Sequence, residues 1–239
     1  MGVFEGDALP GYGCSRGCFA VSSFYCSGLI AILPPFMKEQ DLRQQGIGYR
    51  KIELTVSAAK ANMYALYFIL PILLLYIPAY LLVWPEQFAL QNLRAVLQQY
   101  KVWLLFSPLV MLGVFVVGAV VHELLHGLTW GLFCKDGLKS IKYGVYWKLL
   151  TPYCHCKEVL PLGPYVLGGL MPGLVMGLLP ALAGLIWGNF LLFLFGLFFS
   201  VAAGGDLLVL WMLRRQKKED LVQDHPEKIG CYVLIKDQK

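Results

Sequence analysis

Three ionisable side chains interrupt an apolar run. In VVHELLHGLTW, Val120 to Trp130, they are His122, Glu123 and His126. Histidines at positions i and i+4 of a helix project from the same face, one turn apart. That separation lets both imidazoles reach one Zn²⁺ at about 2.0–2.1 Å. A glutamate at i+1 is rotated by roughly 100° around the helix. It stands beside the metal rather than on it, where it can accept a proton from an attacking water. Ionisable groups at membrane depth are costly and mark functional sites. The pattern therefore predicts a hydrolytic zinc site. The plainer alternative is a helix with two hydrogen-bonded histidines and a glutamate snorkelling from near its end.

The elements that must hold these residues are membrane spans. The chain has 239 residues, 58% hydrophobic and 15% charged, against roughly 25% charged in soluble domains. No Asp, Glu, Lys or Arg occurs from Ala61 to Pro85 or from Val159 to Gly205, and Glu123 stands alone between Lys101 and Lys135. About 20 apolar residues cross a bilayer. The fold class we expect is an all-α integral membrane protein. Its four transmembrane helices fall at about 61–84, 102–134, 164–187 and 189–213. Gly188-Asn189 divides the last two. SIKYGVYW and TPYCHCKEV are β-like and predict a short hairpin between spans two and three.

Three flanking segments complete the plan. Residues 1–36 are expected to be an N-terminal extension, poorly ordered or upstream of a natural start at Met37. Residues 37–213 form the four-span domain, in which KIELTV reads as a short strand and Ser57 as an N-cap. Pro85 to Tyr100 reads as an amphipathic helix on the membrane surface. Residues 214–239 are expected to be a basic cytosolic tail. Basic residues cluster before span one, between spans two and three and after span four, which places both termini in the cytosol. We expect a bacterial inner-membrane location, with lipid as a partner. The net charge of +5 comes without a basic face or motif, so no nucleic acid is expected. Cys134, Cys154, Cys156 and Cys231 fall on the cytosolic side, where thiols stay reduced, so no structural disulfide is expected among them.

A catalytic zinc takes three protein ligands and keeps one position for water. Depth selects the third. His126 lies nine residues before Lys135 and Asp206 eight before Arg214. At 1.5 Å per residue both sit roughly 12 Å short of the cytosolic interface. Asp206 is also the only charged residue of its span, and a lone carboxylate there needs a partner. The competing partner is a Lys or Arg near the interface. Gly204-Gly205 would let another helix approach closely, and Gly127/Gly131 and Gly173/Gly177 are further candidates for helix packing. Cys154, His155 and Cys156 remain candidates for a substrate contact or a secondary site. Glu158 lies in a loop and His225 in the tail, where it reads as a surface residue.

These residues resemble the membrane zincins related to site-2 proteases. More closely, the chain looks like a zincin peptidase family described mainly as a domain of unknown function. The resemblance rests on HELLHG at 122–127, PYCHCKE at 152–158, GGDL at 204–207 and DHPEKIGCYV at 224–233. It implies His122, His126 and Asp206 as ligands, Glu123 as general base, Zn²⁺ as cofactor and a peptide or membrane protein as substrate. The chain departs from site-2 proteases around the aspartate: theirs lies in an LDG context with an upstream Asn-Pro, and here it is GGDL. A substrate is expected to lie extended, pairing with the 140–158 hairpin as an added strand. Two other functions fit the same residues: a non-proteolytic metal-binding scaffold or small transporter, and a hydrolase of a lipid-like amide.

Overall fold

The computed structural model describes residues 48–147, 151–226 and 228–236. The expected N-terminal extension over 1–36 lies outside the described residues. The chain is mostly helical with a small β component. In order the elements are β1 (Tyr49–Val56), α1 (Ala58–Val83), α2 (Leu90–Gln99), α3 (Lys101–Gly131), β2 (Ile141–Tyr146) and β3 (Thr151–Cys156). Then follow β4 (Leu160–Pro161), α4 (Leu162–Pro172), α5 (Leu179–Trp187), α6 (Phe190–Ala202), α7 (Gly204–Leu213), β5 (Leu221–Asp224) and β6 (Ile229–Lys236).

Among the described residues, three helices are long and apolar enough to cross a membrane: Ala59–Val83, Leu104–Gly131 and Leu162–Trp187. The pair α6 and α7 makes a fourth if it counts as one span, bent by 42°. Apolar side chains point away from the protein along these helices, such as Leu82 at 81% exposed and Leu105 at 75%. Water penalises that arrangement and hydrocarbon does not. Ser57 caps α1 by accepting from the Lys60 N–H at 3.5 Å. Pro71 and Pro78 lie inside α1.

Leu162 to Trp187 runs as α4, a π-helical turn over Gly173–Leu178, and α5. Small residues seat this span on α6. A Cβ on Gly177 would meet Ser200 Oγ at 2.6 Å, and one on Gly184 would clash with the Phe193 backbone. Gly188 ends α5 at φ +67°, a left-handed conformation that suits glycine. Asn189 then caps α6, accepting from the Leu192 N–H at 3.0 Å. At the same end, Trp84 Nε1 donates to the Leu185 carbonyl and Gln87 Nε2 to that of Gly188, both at 2.8 Å.

The sequence reading placed one continuous helix over 189–213. The bend falls instead between α6 and α7, at Ala203. Gly204 there lies against α1, 3.6 Å from Ile69 if it carried a Cβ. The glycine pairs divide differently from the expectation. Gly173 and Gly177 do seat helix on helix, but Gly127 packs on Tyr143 and Gly131 on Leu138.

The fold is not all-α: the described residues include six strands in two sheets. One is the antiparallel pair β2–β3, from Ile141↔Cys156 to Tyr146↔Thr151. The other has the order β1-β6-β5-β4. The segment read as a basic tail supplies its two central strands. β6 pairs along all of β1, from Tyr49↔Lys236 to Val56↔Ile229. Cys156, Val222, Cys231 and Val233 are fully buried beneath this region, together with Trp130 and Tyr165 from the helices. The continuous apolar run over 231–235 suits a buried strand, but its partner lies some 180 residues earlier in the chain.

Candidate metal centre

α3 carries His122 and His126 on one face, and both are buried. Their rings meet edge to face with centroids 5.0 Å apart. Asp206 reaches them from the first turn of α7. His122 Nε2 lies 3.1 Å from Asp206 Oδ2, and His126 Nε2 lies 3.3 Å from Oδ1. α7 itself packs on α1 and α4, and its first turn extends the Asp206 side chain to the α3 histidines. One ligand atom from each of the three residues lies within 4.8 Å of the others. Two imidazoles and a carboxylate form a donor set suited to zinc, and three protein ligands leave one position open.

The orientation of His126 supports that use. His126 Nδ1 donates to the Gly168 carbonyl at 2.8 Å. A carbonyl only accepts, so Nδ1 bears a proton, which leaves Nε2, the nitrogen facing Asp206, as the one available to a metal. His122 Nδ1 is buried without a hydrogen-bond partner. This leaves a buried histidine with an unmet polar atom beside a carboxylate. A carboxylate set between two such rings is costly unless its charge is compensated, and a cation held by the three side chains would compensate it.

Aromatic rings hold His126 from behind. Trp130, one turn on, stacks on it at 5.2 Å, and Tyr165 of α4 stacks on Trp130 at 5.4 Å. Trp130 Nε1 donates to the Tyr165 carbonyl at 3.0 Å. Gly168 has no room for a Cβ beside that indole. The Tyr165 hydroxyl donates to Asp224 Oδ1 at 2.6 Å, and the Cys156 N–H donates to Oδ2 at 2.8 Å. The stack thus ends on a partly buried carboxylate from β5. Burial pushes the Asp224 pKa up, and these hydrogen bonds offset part of that rise. The sequence reading did not find Trp130, Tyr165 or Gly168. The i, i+4 relation of Trp130 to His126 was the available signal.

Glu123 sits on the adjacent flank of α3, within electrostatic reach of His126, His122 and Asp206. The backbone N–H of Cys154 in β3 hydrogen-bonds its carboxylate. The β2–β3 pair therefore forms the wall over Glu123.

The three residues Cys154, His155 and Cys156 do not converge on one point. Alternation along β3 sends the two thiols to one face and the imidazole to the other. Cys156 Sγ lies 3.4 Å from Cys134 Sγ at the end of α3. Both are free thiols, as are Cys154 and Cys231. Burial raises the Cys154 pKa and carries that of Cys231 to about 12, while the hydrogen bond with Cys134, then burial, raises that of Cys156. His155 faces Asp224 at 3.9 Å, and burial lowers its pKa. Glu158 is buried and clamps the turn after α3. It accepts from the backbone N–H groups of Lys135 at 2.7 Å and Asp136 at 3.1 Å, and from the Ser140 hydroxyl. His225 is no surface residue. Its side chain is 5% exposed, 3.6 Å from Glu53 and packed at a tilt against the Tyr232 ring.

One cavity borders the centre and another lies along α3. The first, of about 210 Å³, reaches Asp206 between Tyr76, Gly169 and Ser200. The other, of about 500 Å³, is walled by apolar residues of α3 such as Val117 and Val121, the last just before His122.

Residues 115–221 match the family described as "Putative zincin peptidase". The matched segment contains His122, Glu123, His126 and Asp206. No curated protein and no solved structure matches the chain.

Proposed function

We infer that this chain is a membrane-embedded zinc metallopeptidase, starting from the match of residues 115–221 to a zincin peptidase family. The observation that carries the reading is the meeting of Asp206 with His122 and His126, residues 84 and 80 positions away. Zn²⁺ held by these three would polarise the scissile carbonyl and acidify the attacking water. The chain's own residues do the rest. Glu123 accepts the proton of the attacking water and returns it to the leaving amine. The Cys154 N–H keeps that carboxylate oriented. The Gly168 carbonyl and the Trp130–Tyr165 stack hold His126 in its ligating tautomer and angle.

The topology follows from charge. The loop after α3 and the segment after α7 carry the basic clusters, so both termini face the cytosol and the site lies towards that side. An extended substrate adding to the β2–β3 pair would lie along the wall that holds Glu123. Truncating side chains there should change cleavage, and unchanged cleavage of every substrate would rule that placement out.

Metal analysis of the purified protein tests the centre. The wild type should hold one zinc per chain, and His122→Ala and Asp206→Ala should each lose it. Zinc retained in both variants ends the reading.

A further inference from the structure

The flank of α3 that carries Glu123 meets a second polar side chain, supplied by β2. Glu123 and Gly127 are four residues apart, hence on one face and one turn apart. Gly127 has no room for a Cβ, because the Tyr143 hydroxyl fills that notch, with Ile141 Cγ2 at 2.7 Å. Tyr143 stands opposite Cys154 in the β2–β3 ladder, and Cys154 is the residue whose N–H holds Glu123. One rung of the ladder thus presents both groups to the same face of the helix.

Tyr143 is not sealed in. It is 41% exposed, and the next residue on its face of β2, Val145, is 40% exposed. Among the described residues its hydroxyl has no hydrogen-bond partner. Burial, then the Cys154 thiol and the Glu123 carboxylate, push its pKa up, so the phenol stays a neutral donor. A donor on an exposed side chain, on the flank of α3 that carries Glu123 and without an acceptor among the described residues, is available to a ligand.

We propose that Tyr143 contacts the substrate, its hydroxyl donating to a backbone carbonyl of the peptide held beside Glu123 while Val145 lines the adjoining apolar surface. This rests on the zinc peptidase reading. The donor fixes how the peptide lies against the wall, and Gly127 is the position that admits it.

Binding of zinc-directed probes tests this with the full-length, zinc-loaded protein in detergent. Acetohydroxamate is too short to pass beyond the metal. Peptide hydroxamates extended to one side or the other reach the wall. Tyr143→Phe should bind at least one extended probe roughly tenfold more weakly, the worth of one hydrogen bond. Acetohydroxamate affinity and zinc content should not change. Gly127→Ala, whose Cβ takes the place of the phenol, should show the same loss with the tyrosine intact, and the double variant should lose no more. Equal affinity of Tyr143→Phe and wild type for every extended probe overturns the role of Tyr143 and leaves the zinc reading standing. Zinc-loaded wild type that binds no hydroxamate, acetohydroxamate included, overturns that reading and the proposal together.

Discussion

Glu123 and Asp206 are both carboxylates on apolar helices, yet their neighbours give them different work. Asp206 faces two imidazole nitrogens at 3.1 and 3.3 Å, the surroundings of a ligand. Glu123 faces a backbone N–H, which orients a carboxylate without engaging its proton-accepting role. Glu123→Gln keeps the shape and an acceptor for Cys154 but cannot take a proton. Its zinc content should equal that of the wild type, while hydrolysis of a reporter peptide falls by about 10²–10⁴-fold. Full hydrolysis by this variant would assign the base elsewhere. At this scale the sequence was informative. Helical spacing alone put His122 and His126 on one face, and depth counting paired them with Asp206. Tyr143 and Trp130 were not legible, because their closeness depends on which strand and which helix cover α3.

Helix ends and breaks decide how the site is built. The bend at Ala203 turns Asp206 into a first-turn residue of α7, whereas a straight span would carry it along one continuous axis. The sequence showed Gly204-Gly205 but not the angle, since a glycine pair permits a bend without specifying one. At the other end of the site, α3 stops where Glu158 gathers two backbone N–H groups and the Ser140 hydroxyl. Helix ends leave polar groups that need partners, and here one buried carboxylate organises the turn that leads into β2. Glu158→Ala should lower stability by about 3 kcal/mol, the order expected when buried donors lose a charged acceptor. Glu158→Gln, which retains an acceptor oxygen, should lose less. Thermal unfolding of both variants in one detergent measures the difference. A Glu158→Ala protein as stable as wild type would show that the clamp contributes nothing.

Across the whole molecule, the sheet and the helices share one core. Cys231 and Val233 of β6 pack with Trp130 of α3 and Tyr165 of α4, so the strands stand directly behind the candidate metal centre. The thiols in that core give it a pH dependence. Cys231 has its pKa raised from 9.0 to about 12, and those of Cys154 and Cys156 also rise. A raised pKa in the folded state means the native thiol keeps a proton that the unfolded one releases. Their contribution is complete below pH 9 and is lost as pH climbs towards 12. Each such thiol can lower stability by up to about 1.4 kcal/mol per pH unit in that window. Unfolding between pH 8 and 11 should show a falling stability with a shallower slope in Cys231→Ala. An equal slope in the variant would remove Cys231 from the account.

Local pattern carried much of this protein. Apolar runs of helical length, the i, i+4 histidines, the Gly188-Asn189 turn and the β-like stretches around 141–156 are each properties of a few neighbouring residues, so they can be read along the chain. The four-stranded sheet was hidden because a strand is only half of a bond pattern. β6 needs β1, and nothing nearby in sequence announces that partner. The same physics separates Asp206 as a candidate from Asp206 as a neighbour of two imidazoles. Counting along the spans placed a carboxylate at a depth like that of His126; α7, packed on α1 and α4, holds it 3.3 Å from His126. The aromatic stack behind His126 and the Cys154 N–H on Glu123 likewise come from elements far apart in the chain, and they exist only once α4 and β3 close over α3.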